Sequence, residues 1–283
     1  MIHFNGVTKC YHKVTALDHV TLEMSDNKIY CLLGRNGAGK TTLLKLIAGY
    51  IKANSGTIRI DDKPVKTLNM PDCVNFIEKR AAQFNERVER LIQMAEKLDD
   101  HFDMDFAQDM LIKFRLDKNK KYHQLSFGMQ TMLTTLISLA SNSKIVLLDE
   151  PVLGFDAIMR SQFYELLNDS FERHPRLLIV STHLIDEIAK SAHELIILDE
   201  GKFVFQSSLT DIDEKAYSIT GVTHDVLPTL GNLNVIAQKT IGNYTTAYIF
   251  DCRKDCYDKL TVQPLSLQEF FINLVGGNSD ENK

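Results

Sequence analysis

The run Gly34 to Thr41, GRNGAGKT, fits the pattern G-x-x-x-x-G-K-[ST] and could bind phosphate. Gly34, Gly37 and Gly39 permit a tight turn that aims backbone N–H groups inward, with Asn36, Ala38 and Thr42 completing the loop and its exit. A helix starting at Lys40 would add its positive dipole end. In such a loop the Lys40 ammonium neutralises β and γ oxygens, and the Thr41 hydroxyl is placed to ligate Mg²⁺. Further on, IVLLDEP at Ile145 to Pro151 delivers Asp149 and Glu150 at the end of an apolar run. Two carboxylates there suit divalent-ion binding (Asp149) and activation of an attacking water (Glu150). Between these segments lies LSFGM, Leu125 to Met129, and after them comes STH, Ser181 to His183.

These groups need a sheet to hold them. Ile29 to Leu33, Ile145 to Leu148, Leu177 to Val180 and Leu195 to Leu198 are short apolar runs suited to buried strands, with helical patterns between them. That alternation predicts an α/β fold with a largely parallel sheet, whose ligands lie at the carboxyl ends of the strands. The apolar periodicity Leu43, Leu44, Ile47 and Ala48 supplies the helix after the glycine-rich loop. Met129, Met132, Leu133, Leu136, Ile137 and Ala140 share one side of another helix, which places Ser126 at its N-cap and Gly128 beside exposed N–H groups. His183 follows the Leu177 to Val180 strand, on the same sheet end as the carboxylates.

Residues 1–206 are read as the main domain. Within it, about 71–140 changes to charge-rich helical spacing and is read as a helical insertion. Residues 207–283 form a C-terminal accessory region: strands at Tyr217 to Val222, Leu233 to Ile241 and Tyr244 to Phe250, then a helix at Leu265 to Leu274, a small α+β appendage. A chain of 283 residues is too short for two full nucleotide-hydrolysing domains in tandem, so a partner copy is expected in trans. The net charge of −5 argues against broad attraction to nucleic acid or anionic lipid. The five cysteines, Cys10, Cys31, Cys73, Cys252 and Cys256, read as reduced thiols, without a zinc-like set around the last two. MIHFNGVTKCYHK reads as no secretory leader, and no apolar run approaches a membrane span.

Taken in order, GRNGAGKTT, LSFGM, IVLLDEP, GFD at Gly154 to Asp156 and STH resemble the ATP-binding subunit of an ABC (ATP-binding cassette) transporter, from Met1 to about Gln206. The fold this implies is a P-loop NTPase of the ABC ATPase type with a helical subdomain insertion. The resemblance further implies two such subunits sandwiching two ATPs head to tail, with Mg²⁺. Lys40, Glu150 and His183 would act in hydrolysis, His183 as the switch histidine on the γ-phosphate. Ser126 and Gly128 would serve the nucleotide of the opposite subunit, Asp156 would communicate across the dimer, and Tyr11 would stack on adenine. An integral membrane permease subunit is the other expected partner, with the chain cytoplasmic and peripheral at the inner face of the membrane.

LSxGM, FDMDFAQDMLIKFRL and the ending SLQEFFINLVGG are similar to ATPase subunits of Gram-positive exporters linked to antimicrobial-peptide resistance and to phenol-soluble modulins. Export of a peptide or other amphipathic molecule is the expectation. Two alternatives stand beside it: a nucleotide-dependent regulatory switch that moves no solute, and a weakly hydrolytic cassette in a heterodimer. The chain departs from the family pattern LSGGQ at Phe127 and Met129. It also departs where a magnesium-sensing Gln is usual: Glu78 is the better-placed substitute, and Gln83 the other.

Overall fold

The computed structural model describes residues 1–67, 70–78, 84–141, 143–252 and 260–276. The chain divides into two units, Met1–Phe205 and Gln206–Lys283. The first begins with strands β1 (Ile2–Tyr11), β2 (Val14–Met24) and β3 (Ile29–Leu33), helix α1 (Lys40–Ile47), and strands β4 (Ser55–Ile60), β5 (Lys63–Pro64) and β6 (Val74–Ile77). Helices α2 (Val88–Leu98), α3 (Met104–Lys113) and α4 (Phe127–Ala140) follow. The unit continues through β7 (Ile145–Asp149), α5 (Ala157–Arg173), β8 (Leu177–Ser181), α6 (Ile185–Ile188), β9 (Glu194–Asp199) and β10 (Lys202–Ser208).

A six-stranded sheet in the order β10-β9-β3-β8-β7-β6 carries the site. β3 runs parallel to β8 and β9, and β7 runs parallel to β8 and β6. Every residue of β3, β7 and β8 is buried, as expected of strands covered on both faces, which is why they read as unbroken apolar runs. A second sheet, β2-β1-β4-β5, is antiparallel and packs its Ile2, Phe4, Val7, Leu17 and Val20 into the same core as α1.

Val74–Ile77 lies inside the segment assigned above to helices, yet it is the edge strand of the main sheet, paired residue for residue with Ile145–Leu148. Its partner is distant in sequence, so local pattern does not show the pairing. The helices of the insertion begin at Val88. α2 buries only Val88, Leu91 and Ile92, leaving a polar face to water.

α3 is tied to α5 at both ends. Lys113 pairs with Asp169 at 2.7 Å. At the other end Asp103 caps α3 by accepting from the Phe106 N–H at 2.9 Å, and it pairs with Arg173 Nε at 2.7 Å and His174 Nε2 at 3.2 Å. Burial acts to raise the Asp103 pKa, but the Phe106 N–H, His174 and the Arg173 charge outweigh it and hold the carboxyl below its ordinary value. A carboxyl depressed in this way adds stability above its unfolded pKa, and that stability is lost as pH falls through the folded value. Asp103→Asn is expected to cost about 1 kcal/mol near neutral pH, since Arg173 and His174 are partly exposed. The gap to wild type should close in acid, which thermal melts from pH 7 down to about pH 3 would show.

The second unit contains α7 (Leu209–Lys215), β11 (Ala216–Val222), α8 (Thr223–Leu230), β12 (Val235–Ile241), β13 (Tyr244–Phe250), β14 (Thr261–Pro264) and α9 (Leu267–Gly276). Its antiparallel sheet has the order β12-β13-β11-β14, with Tyr217, Ile219, Val226, Ala247 and Ile249 in a separate small core. Cys252 is an exposed free thiol, and Cys256 lies outside the described residues. Among the described residues no helix is long and apolar enough to cross a membrane.

Candidate functional site

The glycine-rich loop joins the carboxyl end of β3 to α1. Gly39 has φ +99°, and a Cβ there would stand 2.5 Å from the Ala16 carbonyl oxygen, so the turn requires glycine on two counts. Gly37 is different: its φ is +85°, but a Cβ there would meet no atom within 4 Å, so the backbone turn alone calls for glycine. α1 begins without a side-chain cap and without an acidic residue in its first turn, which leaves its N–H groups and dipole facing the loop. Lys40 is only 7% exposed. Its Nζ donates to the carbonyls of Gly34 at 2.7 Å and Arg35 at 3.3 Å, and lies 3.9 Å from Glu150 Oε1.

Both oxygens of Asp149 are held. Oδ2 accepts from the Thr41 hydroxyl at 2.8 Å and Oδ1 from the Ser181 hydroxyl at 2.9 Å. The carboxylate is 4% exposed, and without these donors its burial would be costly. Ser181 is the residue that sequence reading leaves without a role; it lies opposite Asp149 in the parallel register of β7 and β8. Aligning the two apolar runs end to end is the signal that could have found it.

Glu150 leaves the strand with φ +50°, a left-handed conformation that costs a non-glycine residue energy. The Glu150 N–H donating to the Ser181 carbonyl at 2.9 Å helps hold it. Its Oε2 lies 2.8 Å from His183 Nδ1, so one carboxylate reaches toward Lys40 and His183 together. A crevice of about 230 Å³ is lined by Ala16, residues 36–42, Asp149 and Glu150. Asn36, Gly37, Ala38, Gly39, Lys40, Thr41 and Thr42 therefore all line it. Gly34 does not line it; a Cβ there would stand 2.4 Å from the Leu198 carbonyl oxygen, so this glycine packs the loop against β9 instead.

Glu78 pairs with Lys45 of α1 at 2.6 Å while lining a smaller crevice with Asp149 and Glu150. The lysine offsets the negative charge that a carboxylate brings to this position. Gln83 lies outside the described residues. Tyr11, at the end of β1, is 40% exposed and does not line the larger crevice; Lys9 Nζ sits 5.0 Å from its ring centroid.

Ser126 accepts from the Met129 N–H at 3.3 Å as the N-cap of α4, and Asp156 accepts from the Met159 N–H at 2.8 Å as the N-cap of α5. Neither they nor Gly128 line the crevice at Lys40. The structure therefore brings together Lys40, Thr41, Asp149, Glu150 and His183 and leaves Ser126 and Gly128 outside the crevice at Lys40, while Phe127 between them borders the smaller crevice with Asp149 and Glu150.

Thr41 and Asp149 present hard oxygen donors side by side, which fits Mg²⁺. Among the described residues no group of three or more His, Cys, Asp or Glu side chains could hold a metal alone, so nucleotide oxygens would have to complete the coordination.

A glycine-rich turn on a parallel strand, an uncapped helix start, a buried lysine and paired carboxylates define a P-loop nucleotide hydrolase. Residues 17–153 match the family described as ABC transporter. The chain is 25% identical over 297 residues to the ABC transporter ATP-binding protein YtrB of Bacillus subtilis, covering 98% of this chain and 99% of that protein. It is 26% identical over 235 residues to the energy-coupling factor transporter ATP-binding protein EcfA2 of Staphylococcus aureus, covering 74% and 80%. Among solved structures, an ATP-binding subunit of an ABC transporter superposes with TM-score 0.65 at 21% identity, over 75% of this chain and 91% of that one. A dimeric cassette in a post-hydrolysis state with ADP and Pi gives 0.64 at 23%, over 74% and 99%. Residues 17–153 are thus an ABC transporter cassette, and the chain is an ATP-binding, ATP-hydrolysing subunit of that type.

Proposed function

We propose that two cassettes close head to tail over ATP and that this closure drives a separately encoded membrane subunit exporting a peptide or other amphipathic molecule. The observation that carries the hydrolytic part is the Glu150–His183 pair at 2.8 Å, set beside Lys40, Thr41 and Asp149. Glu150 accepts the proton of the attacking water, and His183, hydrogen-bonded to it, contacts the γ-phosphate. Lys40 leaves its loop carbonyls for the β and γ oxygens. Mg²⁺, held by Thr41 and Asp149, would supply further charge neutralisation there. Ser126 and Gly128 serve the γ-phosphate of the other cassette, with the start of α4 behind them.

Dimerisation has a kinetic signature. Turnover per chain should rise with protein concentration, and a flat profile would count against the two-cassette site. The dimeric cassette among the structural neighbours supports this reading at the level of fold. The export direction rests on the LSxGM, FDMDFAQDMLIKFRL and SLQEFFINLVGG segments.

For the membrane subunit we assign the groove of about 780 Å³ lined by Ile92 of α2, Leu111 and Ile112 of α3, and Arg115 and Leu116 beyond it. Ile112 is 78% exposed, an apolar side chain available to a partner helix. Ile112→Asp is expected to abolish co-purification with a multi-span membrane protein while leaving ATP binding by the isolated chain unchanged. Retained co-purification would place docking elsewhere.

A further inference from the structure

The LSFGM segment and the loop after Glu150 interlock within one chain. Phe127, the first residue of α4, is 47% exposed. It lies against Gly154: a Cβ built there would stand 3.4 Å from Phe127 Cδ1 and 3.5 Å from Cε1. Gly154 has φ +80°, so the loop turns sharply at the point the ring covers. The reverse contact comes from Met159, in the first turn of α5. A Cβ on Gly128 would stand 2.8 Å from both Met159 Cε and Sδ, with Phe155 Cδ1 at 3.5 Å behind them. Each segment thus places a large side chain over the other's glycine.

The loop is anchored at its far end as well. Arg160 donates to the Phe155 carbonyl at 3.1 Å and pairs with Glu187 of α6 at 2.8 Å, four residues beyond His183. Phe127 also borders, with Glu78, Asp149, Glu150 and Leu153, a crevice of about 20 Å³, so its inner side faces the carboxylates as well as the loop. Two contacts thus join the start of α4 to the loop and to α5, Phe127 at Gly154 and Met159 at Gly128, and Arg160, next to Met159, ties α5 to the α6 helix that follows His183.

We propose that Phe127 and Met159 are positioning residues that lock the Ser126–Gly128 segment to the Glu150–Asp156 loop, so that the two half-sites one chain contributes move together. This rests on the reading that Ser126 and Gly128 serve a second cassette's nucleotide. Engagement of that nucleotide by Gly128 then bears, through Met159 and Gly154, on the placement of Glu150 over the chain's own nucleotide.

The test compares Phe127→Ala and Met159→Ala with Phe127→Leu and Met159→Leu in the full chain. Turnover is followed against ATP and protein concentration, together with ATP binding to dilute chain and thermal midpoint. The alanine variants should lower kcat about tenfold and bring the Hill coefficient for ATP toward one, with binding and midpoint unchanged. The leucine variants should restore both, and the double alanine variant should be no worse than either single one. Wild-type kcat and cooperativity in Phe127→Ala would overturn the proposal, as would a loss explained by a lowered midpoint. Failure of the underlying reading looks different: wild-type protein would show no cooperativity, or Glu150→Gln would retain turnover.

Discussion

Glu150→Gln should lower kcat for ATP hydrolysis by about 10²- to 10⁴-fold while ATP binding stays within about threefold of wild type. Gln keeps the size and both polar ends of the side chain, so it can stay beside His183, now 2.8 Å from Glu150, and under the φ +50° turn. What it loses is the capacity to take a proton at the oxygen facing the site. Loss of the carboxylate charge next to Lys40, 3.9 Å away, would if anything favour a bound triphosphate. Single-turnover kinetics and nucleotide binding on the same preparation separate the two effects. Equal loss of binding and turnover would mean that Glu150 acts in assembling the site rather than in the chemistry.

Lys40→Ala should raise the Kd for ATP by about 30-fold to several-thousand-fold, the range expected when one partner of a buried, hydrogen-bonded charge contact is removed. The loss arises because the ammonium no longer meets the phosphate oxygens; its contacts with the Gly34 and Arg35 carbonyls, at 2.7 and 3.3 Å, are given up on binding and so set the net gain below that of the phosphate contact alone. Isothermal titration with ATP checks the magnitude. Lys40→Arg should recover little, because a guanidinium is wider than the space left beside backbone carbonyls in a site 7% exposed.

The parts of the site that the sequence makes legible are those encoded locally. Ile29 to Leu33 leads straight into glycines and then a helix, and Ile145 to Leu148 leads straight into two acids, so a short window reports strand, turn and chemistry together. Within that window the pattern marks Gly34 and Gly37 alike, yet only Gly37 lines the crevice, because Gly34 is taken up by the β9 backbone, far off in sequence. Contacts between distant segments are a different matter. Ser181 meets Asp149 only because β8 lies parallel to β7 in one register. Lys45 meets Glu78 across segments whose spacing carries no signal.

The same distinction separates the sheets. β3, β7 and β8 are buried on both faces and read as apolar runs, whereas β1 mixes buried, half-buried and exposed positions and shifts register against β2. Its antiparallel sheet therefore escapes a reading built on parallel alternation. Val74–Ile77 merges into the helical insertion because four residues beside charged helices carry too short a pattern to declare a strand. In the second unit, the strands Ala216–Val222 and Tyr244–Phe250 are visible as β-branched and aromatic runs. The short Thr261–Pro264 strand is not.

The proposed role of Ser126 and Gly128 on a second cassette's nucleotide comes from the resemblance of LSFGM to the cassette family's signature. They lie outside the crevice formed by Lys40, Thr41, Asp149 and Glu150, so within one chain the two sets do not surround a common nucleotide. A second cassette is what would unite them. The most direct measurement is sedimentation velocity of Glu150→Gln with and without saturating ATP, since slow hydrolysis should trap the closed state. The expected result is a monomer without nucleotide and a dimer of about twice the mass with ATP, lost when Ser126→Arg is added. A protein that binds ATP yet sediments as a monomer at every concentration would contradict a site built from two copies of this chain.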